Sequence, residues 1–129
     1  MHILVKFGLI FVYLLYLFLF CLCTTSNPGI PNFTNKEMND LINKGNKVMH
    51  CKICDLYCID IIGSKKKVAH CEICNICIKG FDHHCPFTSK CIGENNLLVF
   101  HLFTVAASVA MCTSFTTVIY TLSSIIFQK

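Results

Sequence analysis

The sequence predicts an α-helical membrane protein in which two transmembrane helices flank a small, zinc-stapled, cysteine-rich domain with short β-hairpins. Two observations lead to this prediction. Two long apolar runs without charged residues lie near the two ends of the chain, and eight of its eleven cysteines are crowded into one stretch between them. The predicted boundaries are 3–23 and 97–127 for the helices, 24–50 for a linker and 51–96 for the cysteine-rich domain.

The apolar runs have the length of membrane spans. Residues 7–23 and 97–127 carry no charged side chain, and a helix needs about 20 apolar residues to cross the hydrocarbon core. The first run reaches that length when it is extended back to Ile3, with the Lys6 ammonium snorkelling to the surface. A secretory signal peptide is the alternative for this run. Its apolar core is longer than the roughly 7–15 residues of such peptides and no clean small-residue cleavage site follows, so we expect a membrane anchor.

The segment between the runs, residues 24–96, is polar and weakly basic. It contains nine of the eleven lysines and all seven acidic residues, which leaves a charge of +2, and the chain has no arginine. By the positive-inside rule this segment faces the cytosol and both termini face the opposite side. So small an excess fits a surface apposed to a membrane and argues against a nucleic-acid clamp.

The cysteines of this segment indicate metal binding or catalysis. The whole chain has eleven cysteines, an odd number, and a cytosolic segment is reducing, so a disulfide framework is disfavoured. A C-x-x-C pair recurs at 51/54 and 71/74, a spacing that brings two thiolates to about 2.3 Å from one zinc ion. A segment without a large core also needs such a staple. The candidate ligands are Cys51, Cys54, Cys58, His70, Cys71, Cys74, Cys77, His83, His84, Cys85 and Cys91, with His50 at the edge. Two tetrahedral sites require eight of these eleven residues, and the spacing leaves the pairing open.

A family resemblance narrows the choice. The pattern consists of His70-Cys71-x-x-Cys74-x-x-Cys77-x4-Asp82-His83-His84-Cys85-Pro86, followed by Cys91, Ile92, Gly93 and Asn96. It resembles the cysteine-rich domain of the DHHC family of protein S-acyltransferases. The upstream Asn27-Pro28-Gly29 is similar to the Asp-Pro-Gly motif that this family carries after a transmembrane helix.

The resemblance implies two structural Zn²⁺ ions with interleaved ligands. The first ion would be held by Cys51, Cys54, His70 and Cys77, and the second by Cys71, Cys74, His84 and Cys91. It also implies a catalytic group in which Cys85 is the nucleophile, His83 the base and Asp82 the residue that orients His83. Palmitoyl-CoA or a similar long-chain acyl-CoA would be the donor substrate.

The implied reaction passes through an acyl-cysteine intermediate and ends on cysteines of membrane-associated substrate proteins. The lipid bilayer is then a further partner, because the acyl chain needs a cavity among the transmembrane helices. We expect an integral, multi-pass protein of the endomembranes (ER or Golgi) or the plasma membrane. Lys65, Lys66 and Lys67 are candidates for contacts with the CoA phosphates.

Several positions depart from the family pattern. Phe87 stands where the family has Trp, Lys90 stands where it has Asn, and the stretch between Cys54 and His70 is longer than usual. The family has two spans on each side of this domain, whereas here one is predicted on each side. The chain therefore resembles a truncated member of the family. Either it is a partial gene product, or self-association or a partner subunit completes the helical bundle. The alternative function is a catalytically inactive, membrane-anchored zinc scaffold. A nucleic-acid-binding finger is disfavoured because arginine and a recognition helix are lacking.

Overall fold

The computed structural model describes residues 3–32, 35–60 and 68–127. The elements are α1 Ile3–Thr25, α2 Asn35–Asn43, β1 Lys47–Cys51, β2 Leu56–Asp60, β3 Val68–Cys71, β4 Ile76–Lys79, β5 His83–Cys85, β6 Lys90–Ile92 and α3 Leu97–Phe127. The predicted pair of apolar helices and the predicted short antiparallel strands are thus confirmed. The chain divides into two compact units: α1 up to Cys23 together with α3 from Val99 onward, and the segment Thr24–Leu98.

The helical unit consists of α1 and α3, which pack through aromatic side chains. The ring of Phe103 lies 5.8 Å from that of Tyr16 and 5.7 Å from that of Phe20, between ring centroids. Phe103, Ala106 and Ala110 are buried on α3, and most of the remaining apolar side chains of both helices are exposed. Both helices are long and apolar enough to cross a membrane.

Hydroxyl groups are frequent in α3, and the helix itself satisfies them. Each donates to a backbone carbonyl three or four residues earlier, at distances between 2.7 and 3.0 Å. The residues are Thr104, Ser108, Thr113, Ser114, Thr116, Thr117, Thr121, Ser123 and Ser124. This bonding removes the cost of placing an unpaired hydroxyl in an apolar environment. A hydroxyl-rich helix is therefore compatible with the apolar character predicted for it.

The cysteine-rich unit contains three separate antiparallel hairpins, formed by β1–β2, β3–β4 and β5–β6. Each has a four-residue turn, and the fourth turn residue has a positive φ: 52° at Asp55, 58° at Asn75 and 49° at Ser89. Asp and Asn adopt this left-handed conformation more readily than other residues with a Cβ. Because an isolated two-stranded hairpin is only marginally stable in water, other contacts must hold the three together.

The Asn-Pro-Gly segment supplies one of these contacts. The Asn27 side-chain oxygen accepts hydrogen bonds from the Gly29 N–H at 2.8 Å and the Ile30 N–H at 3.1 Å. This folded turn presents the Gly29 carbonyl, which accepts a hydrogen bond from the Lys79 N–H at 2.8 Å. The segment is thereby joined to the end of β4.

Gly93 and Asn96 complete this junction after β6. A Cβ at Gly93 would lie 2.4 Å from the Pro28 carbonyl oxygen and 2.5 Å from Ile78 Cγ2, so only glycine fits. Asn96 is 0% exposed. Its side-chain oxygen accepts the Gly93 N–H at 2.8 Å, and its amide donates to the Cys91 carbonyl at 3.0 Å. One buried amide therefore fixes the path from the third hairpin to α3.

Replacing Asn96 with alanine is expected to destabilise the cysteine-rich unit. The change leaves the Gly93 N–H and the Cys91 carbonyl without their partner, at a cost of about 1–3 kcal/mol for each buried group. Thermal unfolding of the purified chain should shift to lower temperature. The matched control is Asn95→Ala, which removes an exposed amide from the same turn. Equal unfolding midpoints for the two variants would contradict the structural role given to Asn96.

Candidate functional site

Four side chains converge between the first and second hairpins. The donor atoms of Cys51, Cys54, His70 and Cys77 all lie within 4.8 Å of one another. His70 presents Nδ1 to the three sulfurs, at 3.6 Å from Cys51, 3.2 Å from Cys54 and 3.8 Å from Cys77. This cluster, the first ligand set, can hold a metal ion.

A second cluster repeats the arrangement between the second and third hairpins. It consists of Cys71, Cys74, His84 and Cys91, again with all donor atoms within 4.8 Å. Nδ1 of His84 lies 3.9 Å from the Cys71 sulfur, 3.3 Å from that of Cys74 and 3.7 Å from that of Cys91. We call this cluster the second ligand set, and it too can hold a metal ion.

Strand geometry explains how neighbouring residues reach different sets. Successive side chains of a strand point to opposite faces, so His70 joins the first set while the adjacent Cys71 joins the second. His70 stands opposite Cys77 in the β3–β4 register, and His84 stands opposite Cys91 in the β5–β6 register. Each set therefore takes a C-x-x-C pair from one hairpin and an opposed His–Cys pair from the next.

The pKa values of the sulfurs in these sets are consistent with binding of a cation. The backbone N–H of Cys54 lowers the pKa of Cys51 to about 7, which favours the thiolate that binds metal. Burial raises the pKa of Cys91, and the nearby sulfurs of Cys74 and Cys71 raise it further. Negative charges thus repel one another within the second set, and a bound cation would remove that repulsion.

Cys85 belongs to neither ligand set, although it is the next residue after His84. It is 3% exposed and its thiol is free. The alternation of strand faces places Cys85 on the same side of β5 as His83 and opposite to His84. His83 Nδ1 in turn lies 3.0 Å from an Asp82 carboxylate oxygen. Asp82, His83 and Cys85 therefore form a chain of interacting groups beside the second ligand set.

The charges of this group favour a thiolate and an imidazolium. Burial raises the pKa of Cys85, but hydrogen bonds from the Thr88 hydroxyl, the Thr88 N–H and His83 outweigh it, so the pKa lies below its ordinary value. Burial lowers the pKa of His83, but its hydrogen bonds with Asp82 and Cys85 outweigh burial and raise it above the ordinary value. The arrangement is suited to activating a sulfur nucleophile.

The family model of the DHHC palmitoyltransferase matches residues 61–129, which is more than half of the chain. The chain belongs to the DHHC palmitoyltransferase family. The matched region includes the second ligand set and Cys85, whereas Cys51 and Cys54 precede it. Together with the two apolar helices, family membership indicates a membrane protein.

Curated relatives agree with this assignment. The chain is 34% identical over 80 residues to the probable protein S-acyltransferase 6 of Arabidopsis thaliana, covering 62% of this chain and 17% of the relative. It is 31% identical over 112 residues to the palmitoyltransferase ZDHHC8 of Drosophila melanogaster, covering 74% of this chain and 11% of the relative. A 28-residue stretch, 22% of this chain and 9% of the relative, is 57% identical to the human palmitoyltransferase ZDHHC3. The chain therefore spans less than a fifth of the length of these relatives.

Five further positions differ in how the sequence and the structure describe them. Lys65, Lys66 and Lys67, proposed from sequence for CoA contacts, lie outside the described residues. Lys90 donates from Nζ to the Thr24 carbonyl at 2.7 Å, a contact that sequence reasoning missed. Thr88, whose hydrogen bonds lower the pKa of the Cys85 thiol, was not predicted either. A His-Cys pair recurs at 50–51, 70–71 and 84–85, and this recurrence indicates three similar turns.

Proposed function

We propose that this chain transfers a long-chain acyl group from acyl-CoA to cysteines of membrane-associated proteins through an acyl thioester on Cys85. The observation that most supports this proposal is that Cys85 stands outside both ligand sets although His84 beside it belongs to one, while His83, hydrogen-bonded to Asp82, lies on the same face of β5 as Cys85. The relatives are a probable protein S-acyltransferase and a palmitoyltransferase, which supports the same reaction for this chain.

The reaction follows from the residues of this group. The Cys85 thiolate attacks the thioester carbonyl of acyl-CoA, a new S–C bond forms, and the bond from that carbon to the CoA sulfur breaks. His83, held by Asp82, takes the Cys85 proton and returns it to the departing CoA thiolate. In the second step His83 takes the proton of a substrate cysteine, whose sulfur forms a new bond to the acyl carbon. The bond from that carbon to the Cys85 sulfur breaks, and the proton returns to Cys85. Both steps exchange one thioester for another, so positioning matters more than driving force.

The metal of both ligand sets is proposed to be zinc. Sets of three sulfurs and one imidazole nitrogen suit zinc in a structural site. Bond lengths of roughly 2.3 Å to sulfur and 2.0–2.1 Å to nitrogen at a tetrahedral angle separate the two donors by about 3.6 Å. The nitrogen–sulfur distances of 3.2–3.8 Å in the first set and 3.3–3.9 Å in the second scatter around this value. When bound, the ions would supply structural cross-links between hairpins.

The membrane would hold both the enzyme and its acyl chain. We propose that α1 and α3 each cross the bilayer and leave the cysteine-rich unit on the cytosolic side, in endomembranes or the plasma membrane. Within the helical unit an apolar cavity of about 220 Å³ is lined by residues of both helices, including Leu15, Leu19, Leu102 and Val109. Burying an acyl chain stabilises it by about 0.8 kcal/mol per CH₂ group. Helices of a second copy or a partner subunit would close such a cavity further.

Removal of one metal ligand is expected to lower the zinc content. The wild-type chain should carry two zinc ions, and Cys54→Ser should lose at least one, because the second hairpin contributes to both sets and loosens when either is broken. Elemental analysis of purified protein measures this directly. Cys112→Ser, an exposed position on α3, is the control and should keep two. Two zinc ions in Cys54→Ser would contradict the proposed first site.

Cys85→Ser should abolish autoacylation and leave both zinc sites filled. Incubation with a labelled long-chain acyl-CoA should give a hydroxylamine-sensitive label on the wild-type chain, since a thioester forms on Cys85. Cys112→Ser serves again as control and should retain the label. Persistence of label in Cys85→Ser would show that another residue is the nucleophile. Two zinc ions without any acylation of the wild-type chain would instead favour the scaffold function.

Changing His83 or His84 to alanine should affect different properties of the protein. His83→Ala should slow the initial rate of autoacylation by about 10²–10⁴-fold, the range for loss of a general base, with zinc content unchanged. His84→Ala should lower the zinc content, because it removes the imidazole of the second set. Rates and zinc counts on the same preparations test both roles. A loss of zinc in His83→Ala, with none in His84→Ala, would reverse the assignment.

A further inference from the structure

The three hairpins are three copies of one turn. The turn follows Cys51 in the first hairpin, Cys71 in the second and Cys85 in the third. In each register this cysteine pairs with the residue five positions later, which is Leu56, Ile76 or Lys90. The fourth turn residue has a positive φ in all three, as described above. The turn that holds Cys85 is therefore built like the turns that supply the C-x-x-C pairs.

The copies also share the directions in which a histidine and the next cysteine point, one in the direction of a preceding hairpin and one in the direction of a following hairpin. In each hairpin a histidine directly precedes the first cysteine, and the two side chains point to opposite faces of the strand. In the second hairpin His70 faces back to the pair of the first, and Cys71 faces forward to the third. By the same rule His84 faces back to the second hairpin, and Cys85 occupies the forward position.

The third turn has all the features of a metal half-site except its second sulfur. The residue three positions after the first cysteine is Cys54 in the first turn, Cys74 in the second and Thr88 in the third. Thr88 is 5% exposed, so the position lies inside the turn in this hairpin as well. Its hydroxyl oxygen lies 3.5 Å from the Cys85 carbonyl oxygen. After this hairpin the described chain continues into α3, so no further hairpin supplies an opposed His–Cys pair.

We propose that Thr88 keeps Cys85 available for chemistry by denying the third turn the second sulfur of a metal half-site. This inference rests on the proposed function, because it assumes that Cys85 must stay uncoordinated. Two sulfurs at C-x-x-C spacing chelate one ion, with each sulfur about 2.3 Å from it. A single sulfur in the same turn binds a metal through one bond and releases it readily. The residue at position 88 therefore decides, by lacking a metal-binding atom, that Cys85 stays available as a nucleophile.

The test introduces the missing sulfur. Thr88→Cys, Thr88→Ser and Thr88→Val are prepared as full chains under a thiol-free reductant, so that no disulfide forms. Zinc content is measured after equilibration with micromolar free Zn²⁺. The alkylation rate of Cys85 by iodoacetamide, a reagent small enough for a buried sulfur, is measured with and without that zinc. Thr88→Cys should bind more than two zinc ions, and zinc should slow its Cys85 alkylation by at least about tenfold.

The controls locate the effect. Thr88→Ser and Thr88→Val should bind two zinc ions, and zinc should not change their Cys85 alkylation rates. The double variant Cys85→Ser with Thr88→Cys should return to two, because the added metal needs both sulfurs. If Thr88→Cys does not fold, Thr88→His supplies an imidazole ligand at the same position, and the same gain of zinc is expected.

Two results would overturn the proposal. Thr88→Cys or Thr88→His could bind two zinc ions and show alkylation that zinc does not affect, or zinc could protect Cys85 of the wild-type chain as strongly as in Thr88→Cys. Neither readout requires acyl transfer. A chain without transferase activity that still gains a metal in Thr88→Cys would refute the proposed function and leave this inference standing.

Discussion

The cysteine-rich unit depends on the convergence of side chains from successive hairpins. Its buried apolar residues are few and include several of the cysteines themselves, with Val68, Ile78 and Ile92 as the main aliphatic members. Such a core cannot hold three two-stranded hairpins together, because each hairpin alone is marginal in water. A metal ion held by a C-x-x-C pair of one hairpin and the His–Cys pair of the next, as proposed above, would replace that core. Structural zinc sites contribute directly to folding free energy in small domains of this kind.

The same pairing of successive hairpins also explains why one cysteine, Cys85, stands outside the ligand sets. Each hairpin of the described residues offers a forward-facing cysteine, and that cysteine belongs to a ligand set only where another hairpin follows. The chain ends its series of hairpins at β6 and continues into α3 through the buried Asn96. Cys85 is therefore buried like Cys71 and Cys91 but stands outside both ligand sets. His83, on the same face of β5, and Asp82 complete the group around it.

Much of this could be predicted from the sequence, and the limits have physical causes. The apolar helices follow from length and composition, and the metal-binding character follows from C-x-x-C spacing. The pairing of ligands came only from the family resemblance, because interleaving is a property of tertiary structure. The distinct positions of His83 and His84 depend on strand alternation, which a four-residue motif does not reveal. A threonine at position 88 carries no sequence signal for a role. Its position becomes informative only because the three turns share one register and one positive φ, which places Thr88 where the other two turns have a cysteine.

A turn built like those of the two C-x-x-C pairs also suits a nucleophilic cysteine. Burial raises the pKa of the first cysteine in all three hairpins, but hydrogen bonds, including those from the backbone N–H groups of the second and third turn residues, outweigh burial and lower that pKa below its ordinary value. In the first two turns that stabilisation serves a thiolate whose charge a cation would balance. In the third turn the partner is an imidazole oriented by a carboxylate. Because an imidazole can accept and return a proton, whereas a metal ion would keep the sulfur coordinated, the same backbone is compatible with the thioester attack proposed for Cys85. In the proposed function, the identity of the group opposite the sulfur, rather than the turn, separates a structural cysteine from a catalytic one.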